Sequence, residues 1–154
     1  MTTIHSIKTA RFGEISFTEQ DIVRFPEGMI GFPGDNEYVL IIHKEGSPFR
    51  WMQSLRTPDL AFLVVDPSVY VQTYAPEVSE SQVTCLELTD ETPRLVYTVV
   101  NIPKGKPEDM TLNLAGPIVI NAANQKAKQL VLEDPRYSLR HRVVPTKEGE
   151  QAAA

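Results

Sequence analysis

Leu60-Ala61-Phe62-Leu63-Val64-Val65 is the longest unbroken apolar run in this sequence of 154 residues. The run predicts a buried β-strand, because it is too short for an ordinary helix and far below the about 20 residues that a membrane-crossing helix needs. Three further runs are equally short and rich in β-branched residues, and they span 38–42, 95–100 and 118–120. Each of the four fits a strand in a sheet that is covered on both faces.

The segments around these runs add further strands. Met110-Thr111-Leu112-Asn113-Leu114 alternates apolar and polar residues, which is typical of a strand with one buried face. Twelve prolines and eight glycines separate the short segments, and 5–17, 49–52 and 126–132 are additional strand candidates. Strands that close on themselves leave no exposed edge, so we predict a mainly β single domain over 1–144, folded as a closed or nearly closed antiparallel β-barrel-like sheet.

One internal segment and the end of the chain depart from this pattern. Ser79-Glu80-Ser81-Gln82 has the form of a capping box, in which the Ser and Gln side chains satisfy free backbone donors. It predicts one short helix around residues 79–88, with apolar side chains toward the core and glutamates toward solvent, although 84–88 also fits a strand. Residues 145–154 contain nothing to bury, so we expect a flexible C-terminal tail.

The acidic residues are unevenly distributed, although the formal net charge is only −5. No Lys or Arg lies between Arg56 and Arg94. This acidic window argues against nucleic acid as a direct partner, because phosphate binding depends on Lys and Arg, and it would attract a basic protein instead. The alternative is that these acids only keep a surface hydrated. The seven acids of the window are Asp59, Asp66, Glu77, Glu80, Glu87, Asp90 and Glu91.

Residues suited to catalysis or metal binding are few and scattered. The single cysteine, Cys85, cannot form an internal disulfide bond, and the three histidines lie in unrelated segments. No GxGxxG or GxSxG motif occurs, and adjacent carboxylates such as Glu133 and Asp134 would point to opposite faces of a strand. We therefore expect no catalytic residues, no metal, no cofactor and no enzymatic activity.

The first residues and the low cysteine content indicate the cellular setting. Met1-Thr2-Thr3-Ile4-His5-Ser6 has no basic region followed by an apolar stretch, so no secretory segment is predicted. One cysteine fits a reducing compartment. We expect a cytoplasmic protein without membrane contact.

A loop rich in glycine and proline carries apolar side chains that belong to no predicted strand. Its sequence is Phe25-Pro26-Glu27-Gly28-Met29-Ile30-Gly31-Phe32-Pro33-Gly34, in which two turn-forming segments enclose Met29 and Ile30. The glycines and prolines fix the backbone path without a helix or a ladder. Two interpretations stay open: the apolar side chains plug one end of the sheet, or they meet a partner.

From this loop onward the sequence resembles the FliW family of flagellar assembly factors, over about residues 4–142. The family pattern carries Ala where Gly116 stands here, and between Val69 and Glu91 the resemblance is one of pattern only. The segments that carry the resemblance are Phe25-Pro26-Glu27-Gly28-Met29-Ile30-Gly31-Phe32, Ser47-Pro48-Phe49 with Leu55, Asp59-Leu60-Ala61-Phe62-Leu63-Val64-Val65-Asp66-Pro67, Asn113-Leu114-Ala115-Gly116-Pro117-Ile118-Val119-Ile120-Asn121 and Lys126-Ala127-Lys128-Gln129-Leu130-Val131-Leu132.

The resemblance implies a β-barrel-like protein that works by exchanging partners and has no catalytic activity. Members of the family bind flagellin near its C-terminal region, and they bind the RNA-binding translational repressor CsrA. When flagellin is exported, the freed factor sequesters CsrA and flagellin synthesis resumes. The predicted partner-binding residues come from the loop, the acidic window and the block around Gly116, and they are Met29, Ile30, Phe32, Glu77, Glu80, Glu87, Asn113 and Asn121.

A rival interpretation is a small-ligand-binding β-barrel or a minor enzyme, because closed barrels of about eight strands can hold one ligand. Such a protein needs inward-facing polar groups, whereas the central strands are apolar on both faces. A nucleic-acid-binding barrel ranks third because of the excess of acids.

Overall fold

The computed structural model describes residues 3–143, and the predicted tail at 145–154 lies outside the described residues. The secondary structure of this part is almost entirely β. Its eleven strands are short because turns with proline or glycine interrupt them. In chain order they are β1 (Ile4–Thr9), β2 (Gly13–Thr18), β3 (Ile22–Arg24), β4 (Glu37–Ile42), β5 (Phe49–Ser54), β6 (Ala61–Val65), β7 (Arg94–Asn101), β8 (Thr111–Leu112), β9 (Ile118–Asn121), β10 (Ala127–Gln129) and β11 (His141–Arg142).

Nine strands form one antiparallel sheet, and β1 pairs with β2 as a separate hairpin. The main path of the large sheet runs β10-β9-β7-β6-β5-β4-β3, while β8 pairs with β7 and β11 pairs with β8. The ladder between β6 and β7 covers only Val64 with Val99 and Val65 with Thr98, and the next two residues of β7 pair with β8. The antiparallel, mainly β prediction is confirmed.

The two end strands of the sheet meet without forming a ladder. One isolated parallel bridge joins Arg24 at the end of β3 to Lys126 beside β10, and the Arg24 N–H donates to Gln125 O at 2.9 Å. The chain then turns at Pro26, which has no N–H to donate, so β3 cannot continue along β10. The sheet curls until its ends meet at this one bridge, so the closed form of the predicted barrel is not formed.

The large sheet is packed on both faces, as the four apolar runs predicted. One face carries an inner cluster that includes residues of both end strands, while Val39, Val65 and Val119 on the opposite face contact the hairpin, the β8 region and the helical segment. Ile42 and Leu95 are exceptions, at 61% and 42% exposed. The buried members of the inner cluster are Val23, Phe25, Met29, Tyr38, Met52, Val64, Ile118, Ile120 and Ala127.

The predicted helix occurs, although it is shorter than expected. α1 (Glu80–Val83) is followed directly by a 3₁₀ turn over Thr84–Leu86, so the strand alternative for this segment is wrong. The Ser79 N–H donates to the Gln82 side chain at 3.1 Å, as a capping box requires. Sequence reasoning missed β3 and β11, which are too short to show a periodic pattern.

Candidate partner-binding groove

An open groove runs along the outer surface where the sheet fails to close. One wall is the loop at 25–34, here called the loop wall, and the other is the helical segment at 79–88, here called the helix wall. The floor follows β10 into 130–134. Two connected parts share Gln82 and Val131 in their lining, with volumes of about 440 Å³ beside the loop wall and about 630 Å³ beyond it.

The backbone of the loop wall is fixed by two turns. The Gly28 N–H donates to Phe25 O at 2.9 Å, and the Phe32 N–H donates to Met29 O at 2.8 Å. Gly28 has a φ of +72°, and a Cβ atom at this position would lie 2.7 Å from the Cα atom of Pro33. Only glycine satisfies both conditions, so the two turns stack closely.

The three apolar side chains predicted to bind a partner point in different directions. Met29 is buried in the inner cluster, so it occupies the plug position of the two interpretations. Ile30 is 54% exposed at the rim of the groove. Phe32 is partly exposed on the far side of the loop, with its ring edge-on to that of Phe62 at 5.4 Å between centroids.

Two side chains from the floor tie the loop wall to β10. Gln129 accepts a hydrogen bond from the Ile30 N–H at 3.2 Å and donates one to Gly116 O at 3.2 Å. Lys128 Nζ lies 3.0 Å from a Glu27 carboxylate oxygen. These contacts hold Ile30 at the rim and neutralise the carboxylate at this end of the groove.

The helix wall is held by apolar packing and one buried amide. Leu86 is fully buried against Val119 and Leu130, with Val83 and Cys85 packed around them. Behind this cluster the Asn121 Nδ2 donates to Leu86 O at 2.7 Å, and the Asn121 Oδ1 accepts the N–H groups of residues 123 and 124. Asn121 is itself 2% exposed, so it supports the wall from beneath the groove surface.

The far end of the groove is acidic. Glu77, Glu133 and Asp134 line it, and the latter two come from outside the acidic window. Arg136 bonds to Asp134 at 2.7 and 3.1 Å, and these hydrogen bonds hold the pKa of the Asp134 carboxyl below its ordinary value. Three acidic side chains beside one guanidinium give this end a negative formal charge.

The acidic window does not form one continuous patch. Asp59 and Asp66 lie at opposite ends of β6, and Glu87 pairs with Lys126 at 2.8 Å. The hydrogen bond from Lys126 lowers the pKa of Glu87, whose backbone has a φ of 57° just after the 3₁₀ turn. Glu80 opens α1, but its side chain lies outside the described residues.

Gly116 and Asn113 lie beneath the floor near Gln129. A Cβ atom at position 116 would lie 2.7 Å from the Asn113 Nδ2 atom and 3.1 Å from the Gln129 Nε2 atom. The absence of a side chain at Gly116 therefore lets both amides approach its backbone. Asn113 Oδ1 is buried and has no hydrogen-bond partner within residues 3–143.

The structure thus brings Met29, Ile30 and Glu77 to one groove and leaves Phe32 and Glu87 outside its lining. Sequence reasoning missed Gln129, Val131 and the role of Glu133, because the groove combines segments about 100 residues apart in the chain. The alternation in 126–132, with Val131 opposite Leu130, was the pattern that could have indicated them.

Other features bear on the rival interpretations. In the part of the chain that the structure describes, no three His, Cys, Asp or Glu side chains gather as metal ligands. None of the helices within residues 3–143 has the length and apolar character required to cross a membrane. A further open cavity of about 340 Å³ lies where β6 and β7 diverge, and His43 is the titratable residue in its lining.

The fold and the groove define a class: a single-domain, antiparallel β protein with an open groove between a loop and a short helix. The FliW protein family matches residues 6–143, and the chain belongs to this family. It is 35% identical to the flagellar assembly factor FliW of Leptospira biflexa, over 93% of this chain and 94% of that protein. The corresponding factor of Caldanaerobacter subterraneus is 37% identical, over 90% and 92%.

A solved structure agrees with the fold. The crystal structure of a flagellar assembly factor FliW superposes with a TM-score of 0.83 at 34% identity, covering 93% of this chain and 99% of that chain. The described groove therefore lies in a fold that this chain shares with that protein.

Proposed function

We propose that this chain is a cytoplasmic flagellar assembly factor that acts by binding other proteins and has no catalytic activity. Its alternative partners are flagellin and the translational repressor CsrA. Export of flagellin frees the chain to sequester CsrA, and flagellin synthesis resumes. Neither nucleic acid nor membrane is a direct partner. Family membership supports the assembly role, and the partner exchange is the finer part of the proposal.

The single observation that supports the binding role is that the groove has an apolar part and an acidic part. Ile30 and Val131 expose apolar surface at one part, at 54% and 62%, and carboxylates line the other. Apolar anchors next to a charged rim are typical of protein interfaces. CsrA must present cationic surface to RNA, and opposite charge speeds encounter and fixes orientation.

The test compares charge reversals inside and outside the groove. We expect Glu77→Lys to weaken CsrA binding and to reduce its salt dependence, because Glu77 lines the acidic end. Asp59→Lys is the matched control, since Asp59 is an exposed acid of the same window at the end of β6. Titration calorimetry at several salt concentrations measures both effects. Equal losses in the two variants would contradict a role for the groove.

A second substitution tests the apolar part. Ile30→Ser removes apolar surface from the rim, and we expect weaker binding of flagellin or CsrA at an unchanged melting temperature. Unchanged affinity for both partners would exclude Ile30 from the interface.

The rival proposal of a small-ligand site is less well supported. Aromatic and aliphatic side chains of the inner cluster occupy the space that the sheet encloses. The cavity beside His43 is open and carries a single titratable group, whereas catalytic sites bring several together. A second open cavity of about 300 Å³ is lined by Asp66, Tyr74, Arg94 and Tyr97, but the Asp66 carboxylate already accepts hydrogen bonds from Ser68 and the Tyr74 hydroxyl donates to Leu114 O.

A further inference from the structure

Backbone groups along the floor of the groove alternate in direction. The Leu130 N–H donates to Pro117 O at 2.8 Å, and Lys126 O accepts from the Asn121 N–H at 2.8 Å. Even-numbered residues in 126–132 therefore direct their N–H and C=O groups toward β9 and the residues before it. In an antiparallel ladder the odd-numbered residues direct theirs to the opposite side.

That opposite side faces the groove. Gln125 O is satisfied there by the Arg24 N–H, at the bridge that joins the ends of the sheet. Beyond the bridge the loop wall contacts β10 through the Gln129 side chain, which accepts the Ile30 N–H. Within residues 3–143 no backbone group of the loop wall bonds to the backbone of Gln129 or Val131. The edge of β10 is therefore unpaired for these residues.

We propose that this free edge is a strand-addition site, at which an extended segment of a protein partner pairs with Gln129 and Val131 and extends the sheet. The inference rests on the proposed partner-binding role of the groove and adds its mode of recognition. An unpaired edge attracts another strand because its donors and acceptors already have the spacing of a ladder. The groove supplies room beside this edge.

The chemistry of the added segment follows from the two ends of the groove. Beside Gln129 the added strand meets the exposed apolar side chain of Ile30, and beside Glu133 and Asp134 it meets carboxylates. Four residues separate the two ends on the floor, which is about 13 Å of extended chain. The occupant is a segment with an apolar residue and, about four residues away on the same face, a Lys or Arg.

Amide hydrogen exchange of the intact ¹⁵N-labelled chain tests the proposal, with purified flagellin and CsrA of the source bacterium as separate probes. At saturation we expect exchange of the Gln129 and Val131 amides to slow by about tenfold or more. The Leu130 and Leu132 amides already bond to Pro117 O and Ala115 O, so they should change little.

The outcomes separate this inference from the proposed function. If a partner binds but exchange of the Gln129 and Val131 amides does not slow, strand addition is overturned and the binding role stays intact. Failure of both partners to bind would overturn the proposed function and this inference with it. Protection that appears in the free chain and grows with its concentration would identify a second copy as the occupant and overturn the assignment to a partner.

A pair of variants provides an independent readout. Val131→Pro removes one N–H from the free edge without touching the bonds to β9, and Val131→Ala keeps the N–H while removing the side chain. We expect the proline variant to bind about three- to tenfold more weakly than the alanine variant. Equal affinities at equal melting temperatures would overturn the proposal.

Discussion

The loop wall and the helix wall face the same groove but are held by different parts of the molecule. Phe25 and Met29 of the loop wall belong to the inner cluster, which both end strands of the sheet share. Leu86 of the helix wall packs on the other face of the sheet, in a smaller cluster that Asn121 supports. The loop wall is thus part of the main core, whereas the helix wall rests on a smaller cluster, so we expect the helix wall to open more readily than the sheet.

Truncation of Met29, in the loop wall, should reduce the stability of the protein more than any substitution in the helix wall. Met29→Ala removes a side chain that is 2% exposed and leaves a cavity in the inner cluster, so we expect a loss of about 2–5 kcal/mol in the free energy of unfolding. Ile30→Ala is the control, and its effect should stay within about 0.5 kcal/mol. Urea denaturation measures both free energies of unfolding. Equal losses would contradict the burial of Met29 in the core and the exposure of Ile30 at the rim.

Substitution of Gly28 tests the stacked turns of the loop wall. Gly28→Ala places a methyl group 2.7 Å from Pro33 Cα at a residue with a positive φ. We expect the free energy of unfolding to fall by about 2–4 kcal/mol. Gly31 also has a positive φ, of +88°, but open space at its Cβ position. Gly31→Ala should therefore lose only about 1–2 kcal/mol. The same denaturation experiment decides, and a Gly31→Ala variant as unstable as Gly28→Ala would contradict close stacking.

Removal of the Asn121 amide should affect the helix wall more than the loop wall. Asn121→Ala deletes the hydrogen bond to Leu86 O and two bonds to backbone N–H groups, at a cost of about 1–3 kcal/mol. We expect faster amide exchange in 79–88, with smaller changes in the strands of the inner cluster. Asn124→Ala is the milder control, because Asn124 is exposed, its Nδ2 reaches Leu86 O only at 3.3 Å and Glu87 at 3.2 Å, and its Oδ1 accepts only the Lys126 N–H. A uniform increase in exchange would contradict the separate attachment of the helix wall.

Acid should loosen the helix wall by a small amount through Glu87. The hydrogen bond from Lys126 lowers the pKa of Glu87 in the folded chain. This contribution to stability is therefore fully present above the ordinary glutamate pKa and is lost as the pH falls through the lowered value. Carboxyl chemical shifts should show a depressed midpoint for Glu87 that returns toward the ordinary value in Lys126→Gln. A midpoint that does not move in this variant would contradict the pairing.

The two walls also differ in how well the sequence predicted them. The capping box of Ser79 and Gln82 is local in sequence, so the start of the helix wall could be read directly. The glycines of the loop wall predicted a fixed path, but its split into buried Met29 and exposed Ile30 depends on strands far away in the chain. Local sequence patterns therefore predict most of the strands, whereas the groove depends on how the sheet curls and could not be predicted from them.

Acidic residues illustrate the same limit. In the sequence the acidic window contains no Lys or Arg, yet in the structure Lys126 reaches Glu87 from outside it, and Glu133 and Asp134 join Glu77 from a later segment. Which acidic side chains lie together, and which of them pair with a basic side chain, depends on the folded sheet and not on their order in the sequence. The prediction that Glu77, Glu80 and Glu87 bind a partner stays a prediction.

The contact between the two ends of the sheet has a consequence for biosynthesis. The Gln125 side chain bonds to Gln20 O across 105 residues of sequence. Contacts this distant form late, because closing so long a loop costs more conformational entropy than closing a short one. On the ribosome, β3 can pair with β4 as soon as Glu37–Ile42 has emerged, whereas its other edge must wait for residues 125 and 126. Nascent chains should therefore expose this one edge of β3 for most of translation, and an unpaired edge is prone to pair with other chains.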